Sequence, residues 1–184
     1  MVLWTRIAPQ PLAVGGGLPA EPYRVRYELA CLLADREELA DAERHLVAAL
    51  EAVPTYAEAT LELAQLRRRS GRARESMALL IELLQRDPYN MDALLRLGEV
   101  LLEAGRREDA LLAFGRVLRF DPDHAGALYH EGVLLAEQHR YRDAIDRWNR
   151  VVEVDGDGEF ARRARRDART AADLQHIFAS RGEG

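Results

Sequence analysis

Lysine is absent from the 184 residues, and all 26 basic side chains are arginine. This excludes Schiff-base chemistry, a P-loop phosphate site and a lysine general base. One cysteine, Cys31, rules out an internal disulfide and a cysteine zinc cluster. On its predicted helix it reads as a small face residue. No apolar run after Arg6 is long enough for a secretory signal and no stretch approaches a membrane span, which points to the cytoplasm. The five histidines are scattered, with no pair at i and i+4 around a glutamate. Neither a G-x-S-x-G nor an S-x-x-K nucleophile motif occurs. The expectation is a protein that is not an enzyme and uses no cofactor and no metal. A formal net charge of -5 argues against nucleic acid as a partner.

What is present is periodicity. In Met91 to His124, Ala93, Leu94, Leu97, Gly98, Leu101 and Leu102 mark one side of a helix predicted over Asp92 to Ala104, ended by Gly105. Ala110, Leu111, Phe114, Val117, Leu118 and Phe120 mark a second, stopped at Asp121-Pro122. Two antiparallel helices bury one face each, so the hairpin needs neighbours. Steps of 34 residues find them. Leu46, Leu80, Phe114 and Trp148 are in register, as are Ala42, Ser76, Ala110 and Ala144, and Ala30, Ala64, Gly98 and Gly132. Pro54, Pro88 and Pro122 close three of the units.

This pattern resembles the tetratricopeptide repeat, with its small residue in the first helix, alanine and large apolar residue in the second, and terminal proline. The resemblance implies an all-α fold, an α-solenoid of four helix-turn-helix units at residues 23–56, 57–90, 91–124 and 125–158. Residues 159–184 follow as a C-terminal capping helix and tail, and residues 1–22 precede as an irregular, Pro/Gly-rich segment.

Within that segment, Gly15 to Gly17 lack the lysine and directly following helix of a phosphate loop, and Pro19 to Pro22 read as a helix-entry turn. The run VLWTRIAPQPLAVGGGLPAEPYRVRYELA also resembles the start of the N-terminal domain of PhoD-like alkaline phosphatases, through LWTR, AP and GGG. In that family the segment belongs to a β-rich domain ahead of a metal-dependent phosphatase domain. None of the metal-binding region follows, so no activity is carried over. A fragment or fusion related to such phosphatases is one alternative reading.

Repeat one lacks the usual glycine in its inner turn, Asp35 to Glu38. Trp4, Ile7 and Leu12 are expected to cover its outer side. Without that cover an apolar end is exposed, and self-association through the N-terminal end follows. In repeat two, Arg67, Arg68, Arg69, Arg72 and Arg74 read as a solvated turn paired to Glu62 and Glu75. Arg67, and Glu131 in repeat four, stand where the other repeats have leucine, and both are expected at the rim of the packed region. The run Asp155-Gly156-Asp157-Gly158 fails the calcium-loop pattern at Phe160 and Arg166, and reads as a helix stop followed by an N-cap. The last helix is predicted from Phe160 to about Ser180, with Ala164, Ala168, Ala171, Leu174 and Phe178 inward. Its crowded arginines raise a second alternative, binding of nucleic acid or an anionic surface. Pairing of Arg163 and Arg169 with Glu159, Asp167 and Asp173 favours a solvated face.

In a stacked array the first helices line a concave wall, where relatives of this repeat bind extended peptides or helices. The candidate groove comprises Tyr27, Leu61, Gln65, Arg68, Arg69, Leu95, Glu99, Leu102, Glu103, Tyr129, Val133 and Glu137. Tyr27, Leu61, Leu95 and Tyr129 form an apolar ladder, one rung per repeat, on a net acidic wall. The implied role is an adaptor or scaffold for a protein partner, a peptide or helical segment with apolar and some basic residues. The lysine and asparagine clamp of chaperone-binding relatives is replaced at its first positions by Tyr27 and Cys31, which argues against that activity.

Overall fold

The computed structural model describes residues 22–181, with side chains to residue 177. Most of the phosphatase-like run lies outside that range, as do the side-chain contacts expected of Trp4, Ile7, Leu12 and Phe178. Among the described residues all regular structure is α-helical: α1 (Pro22–Asp35), α2 (Leu39–Ala52), α3 (Ala57–Arg69), α4 (Ala73–Arg86), α5 (Met91–Glu103), α6 (Arg107–Phe120), α7 (Ala125–Glu137), α8 (Tyr141–Asp155) and α9 (Glu159–Arg181). Pro22 is itself helical, in the first turn, where its missing N–H breaks no hydrogen bond.

The chain divides into two compact units, residues 1–54 and 55–184. In the first, α1 and α2 form a hairpin in which Ala30, Ala42, Leu46 and Ala49 are buried. In the second, α3 pairs with α4, α5 with α6 and α7 with α8, while α4 meets α5 and α6 meets α7. The first helices α3, α5 and α7 lie side by side, and α9 packs on α8 and α7.

Each helix pair closes by the same turn. Backbone N–H groups of Glu38, Arg72, Arg106 and Arg140 reach the carbonyls of Leu33, Arg67, Leu101 and Leu135 at 2.8–2.9 Å, the six-to-one bond of a Schellman motif. The preceding residue is left-handed in all four: Glu37 (φ 63°), Gly71 (75°), Gly105 (75°) and His139 (60°). Repeat one therefore makes the regular turn without its glycine, and so does repeat four.

Small residues in the first helix face large ones in the second. A Cβ at Gly98 would lie 2.7 Å from Phe114 Cζ, and one at Gly132 would lie 2.5 Å from Trp148 Nε1. The Trp148 indole crosses α7 so closely that its N–H donates to the Tyr129 carbonyl at 3.2 Å. In repeats one and two the smaller Leu46 and Leu80 are matched by Ala30 and Ala64, all four buried. The first two repeats use the same pair, and in the third and fourth a larger second-helix residue is met by glycine in place of alanine.

The two polar substitutions at apolar positions are both half-buried and both paired. Arg67 lies 3.6 Å from Glu75, and Glu131 lies 2.8 Å from Arg147 Nε. Glu75 also receives Arg72 at 3.7 Å. Glu62, expected beside this arginine run, pairs instead with Arg96 of the next repeat at 2.9 Å, because α3 and α5 lie side by side.

The end of α8 and start of α9 form the helix stop and cap expected of the acidic glycine run. Gly156 is left-handed (φ 59°), and Asp155 Oδ2 accepts the Ala161 N–H at 2.8 Å. Arg165 donates to the Gly156 carbonyl at 2.8 Å and Arg162 to that of Asp157 at 2.6 Å. Arg163 pairs with Glu159 at 3.6 Å. Asp167 turns inward instead, accepting from Tyr129 at 2.7 Å and from Arg166 at 2.9 Å. Ala161, Ala164 and Ala171 are the buried face of α9. None of the helices among the described residues is long and apolar enough to cross a membrane.

Candidate partner-binding wall

Side-by-side packing of α3, α5 and α7 brings one face of each first helix onto a common wall. Two hollows adjoin along it and share Glu99. One, of about 430 Å³, is bounded by Gln65 and Arg69 of α3 and by Asp92, Leu95 and Glu99 of α5. The other, of about 360 Å³, is bounded by Arg68, Leu102, Glu103, Tyr129 and Val133, with His130 and, from α9, Arg163. Glu137 lies further along α7, beside an apolar recess of about 340 Å³ between α7, α8 and α9.

The apolar ladder is only partly at the surface. Leu61 is 7% exposed and packs with Ala64, Leu80 and Val100, while Tyr129 is 4% exposed and packs with Trp148 and Ala164. Leu95, Leu102 and Val133 are half-buried and supply the accessible apolar surface of the second unit's wall. Tyr27 lies in the first unit and is half-buried on α1.

Tyr129 is covered by α9. Its hydroxyl donates to Asp167, the Arg163 guanidinium carbon sits 4.7 Å from its ring centroid, and the Phe160 ring is 5.7 Å away. Burial, followed by the hydrogen bond to Asp167, raises the phenol above its ordinary pKa. Tyr129 thus stays a neutral donor that ties α7 to the capping helix.

Charges on the wall are paired across repeats. Arg96 reaches back to Glu62 and also donates to the Leu61 carbonyl at 3.2 Å. Arg68 pairs with Glu103, and Arg107 with Glu137 at 2.5 Å. His130 donates from Nε2 to Glu99 Oε1 at 3.2 Å, its ring stacked on Phe114 at 5.0 Å between centroids. Burial acts to raise the Glu99 pKa, but the His130 hydrogen bond and the charges of His130, Arg68 and Arg96 outweigh it and hold the carboxyl below its ordinary value. Arg96, His130 and Arg163 are absent from the sequence-derived groove. The first two share one position of the 34-residue period, a signal legible in the sequence, and Arg96 and Arg163 bring the hollows closer to neutrality than the acidic wall expected. Asp92, Glu103 and Glu137 remain exposed.

No curated protein sequence matches the chain. Among solved structures it is similar to a tetratricopeptide repeat protein of Parabacteroides merdae, with 24% identity and a TM-score of 0.66 over 83% of this chain and 61% of that one. The chain thus spans about three fifths of that protein's length. It is also similar to the MamA protein, with 17% identity and a TM-score of 0.67 over 86% of this chain and 85% of that one. A third is a thermophilic repeat protein of Thermus thermophilus, with 18% identity and a TM-score of 0.66 over 73% and 75%. Two tetratricopeptide repeat profiles match the sequence itself, over residues 27–90 and 67–123. Their overlapping spans cover the first three of the four helix pairs described above, the fourth repeats the same turn and small-to-large contact, and the chain belongs to the tetratricopeptide repeat family.

Proposed function

We propose that this chain is a non-catalytic adaptor of the cytoplasm that binds a peptide or helical segment of a partner protein along the wall of α3, α5 and α7. The repeat family is itself a protein-interaction architecture. The observation that carries the finer reading is the pair of adjoining hollows sharing Glu99. They have half-buried Leu95, Leu102 and Val133 for apolar anchors and exposed Asp92 and Glu103 at the edge for basic ones, with exposed Glu137 further along α7. Internal pairing of Arg68, Arg96 and Glu99 pre-organises the wall, which lowers the ordering cost of binding. The arginines at the start of α9 serve the α8–α9 junction, which favours a structural role for them over a nucleic-acid surface.

Panning a random peptide library on the immobilised chain tests this reading. Enriched peptides are expected to combine apolar residues with arginine or lysine, and to lose at least about tenfold in affinity for Leu102→Glu combined with Val133→Glu. Circular dichroism must show that the variant keeps its helicity. If the folded variant binds the same peptides equally well, the wall is not the binding surface.

A further inference from the structure

Each first helix that stacks on a preceding repeat buries the third, seventh and tenth residues of its repeat to some degree. In α5, Ala93 and Val100 pack with Leu80 and Leu83 of α4. In α7, Ala127 and Leu134 pack with Phe114 and Val117 of α6. The same positions of α1 are Val25, Leu29 and Leu32, which are 52%, 39% and 60% exposed. Spacings of four and three place them on one side of the helix, a continuous apolar stripe rather than scattered residues.

We infer that this stripe is a self-association surface, on which α1 of a second copy of the chain lies antiparallel. Three observations select that occupant. First, a copy cannot offer its last repeat to the stripe, because the outer face of α8 is closed by α9: Trp148 and Val151 pack with Ala164 and Ala171. A copy's own α1 carries the same open stripe, and like meeting like gives a closed two-fold contact. Second, the stripe is nearly symmetric along the helix, with Leu29 near its middle and Val25 and Leu32 towards its ends, so it can face its own copy. Third, α1 carries Arg24 and Arg26 in its first turns and Asp35 at its end, the reverse of what its own dipole favours. An antiparallel copy sets Asp35 of one chain beside Arg24 of the other, on the same flank of the stripe, and opposes the two dipoles. Glu28, flanking Leu29, meets its own counterpart near the two-fold axis and limits the affinity. A helix of 14 residues presenting three apolar side chains makes a small interface. The dimer is therefore weak and concentration-dependent.

Sedimentation velocity on the full chain, from about 1 to about 500 µM, tests this. The expected result is a shift from monomer to dimer that Leu29→Glu with Leu32→Glu abolishes and Glu28→Gln strengthens several-fold, helicity being unchanged. In a Cys31→Ser background, Leu29→Cys should cross-link to its counterpart under mild oxidation. A chain that stays monomeric overturns the inference. In that case, loss of stability in the double variant assigns the stripe to the chain's own residues 1–21, and no loss assigns it to a different protein. A dimer indifferent to all three α1 changes also overturns it. Peptide binding to the wall in the Leu29→Glu, Leu32→Glu variant separates this outcome from the adaptor reading, since the two surfaces use different residues.

Discussion

Glu99 of α5 and His130 of α7 meet at 3.2 Å on the wall, so one hydrogen bond joins two successive repeats at the point where both hollows converge. Because the Glu99 carboxyl titrates lower in the folded chain than in the unfolded one, its ionised form contributes stability above the unfolded carboxylate range of about pH 4.3. That contribution is lost as pH falls through the folded value. Glu99→Gln is expected to cost about 1–3 kcal/mol at neutral pH, with the difference from wild type narrowing towards about pH 3. Urea titrations at several pH values check this. A difference that stays constant on acidification would contradict it.

Gly98→Ala is expected to destabilise by about 1–3 kcal/mol, because its Cβ collides with the Phe114 ring. Adding Phe114→Leu should recover most of the loss, since the combination recreates the Ala64 and Leu80 pair of repeat two. The double-mutant cycle should therefore show strong coupling, and additive effects would mean that the two side chains do not share a volume.

Gly105→Ala should cost about 1 kcal/mol for a different reason: its φ is +75° and nothing lies within 4 Å of the added methyl. Phe114→Leu should not rescue it. At the equivalent Glu37, where φ is +63°, Glu37→Gly should raise stability by up to about 1 kcal/mol. Thermal or urea unfolding of the three variants distinguishes backbone strain from overpacking.

Ser76 is fully buried, and its hydroxyl has no hydrogen-bond partner among the described residues. The equivalent residues in the other repeats are Ala42, Ala110 and Ala144. Ser76→Ala should therefore stabilise the chain by about 1 kcal/mol, read as a higher urea midpoint with unchanged slope. A lower midpoint would show that the hydroxyl has a partner in solution.

The repeat could be read from the sequence because each unit solves the same local problem. Ala30, Ala64, Gly98 and Gly132 recur where two helices approach, and large residues recur opposite them. The helical period likewise shows which residues of α3, α5 and α7 share a face. It does not show how far a neighbour leans over that face. Tyr129 is a surface rung by period and a buried residue in the fold, because Phe160, Arg163 and Asp167 arrive from another helix. Glu62 paired with Arg96, and Glu131 with Arg147, follow from side-chain reach between helices. Neither spacing within one helix nor propensity encodes that reach.

The exchange of volume between facing residues also makes the helices of repeats three and four non-interchangeable with those of the first two. Leucine against alanine in the first two repeats becomes phenylalanine against glycine in the third and tryptophan against glycine in the fourth. A second helix moved from repeat four into repeat one would drive an indole into Ala30, and the reverse exchange would leave a void beside Gly132. Gene rearrangement that shuffled half-repeats would therefore yield poorly packed chains, whereas duplication of a whole hairpin would preserve every match. By this packing criterion the hairpin, not the single helix, is the piece that can be copied intact.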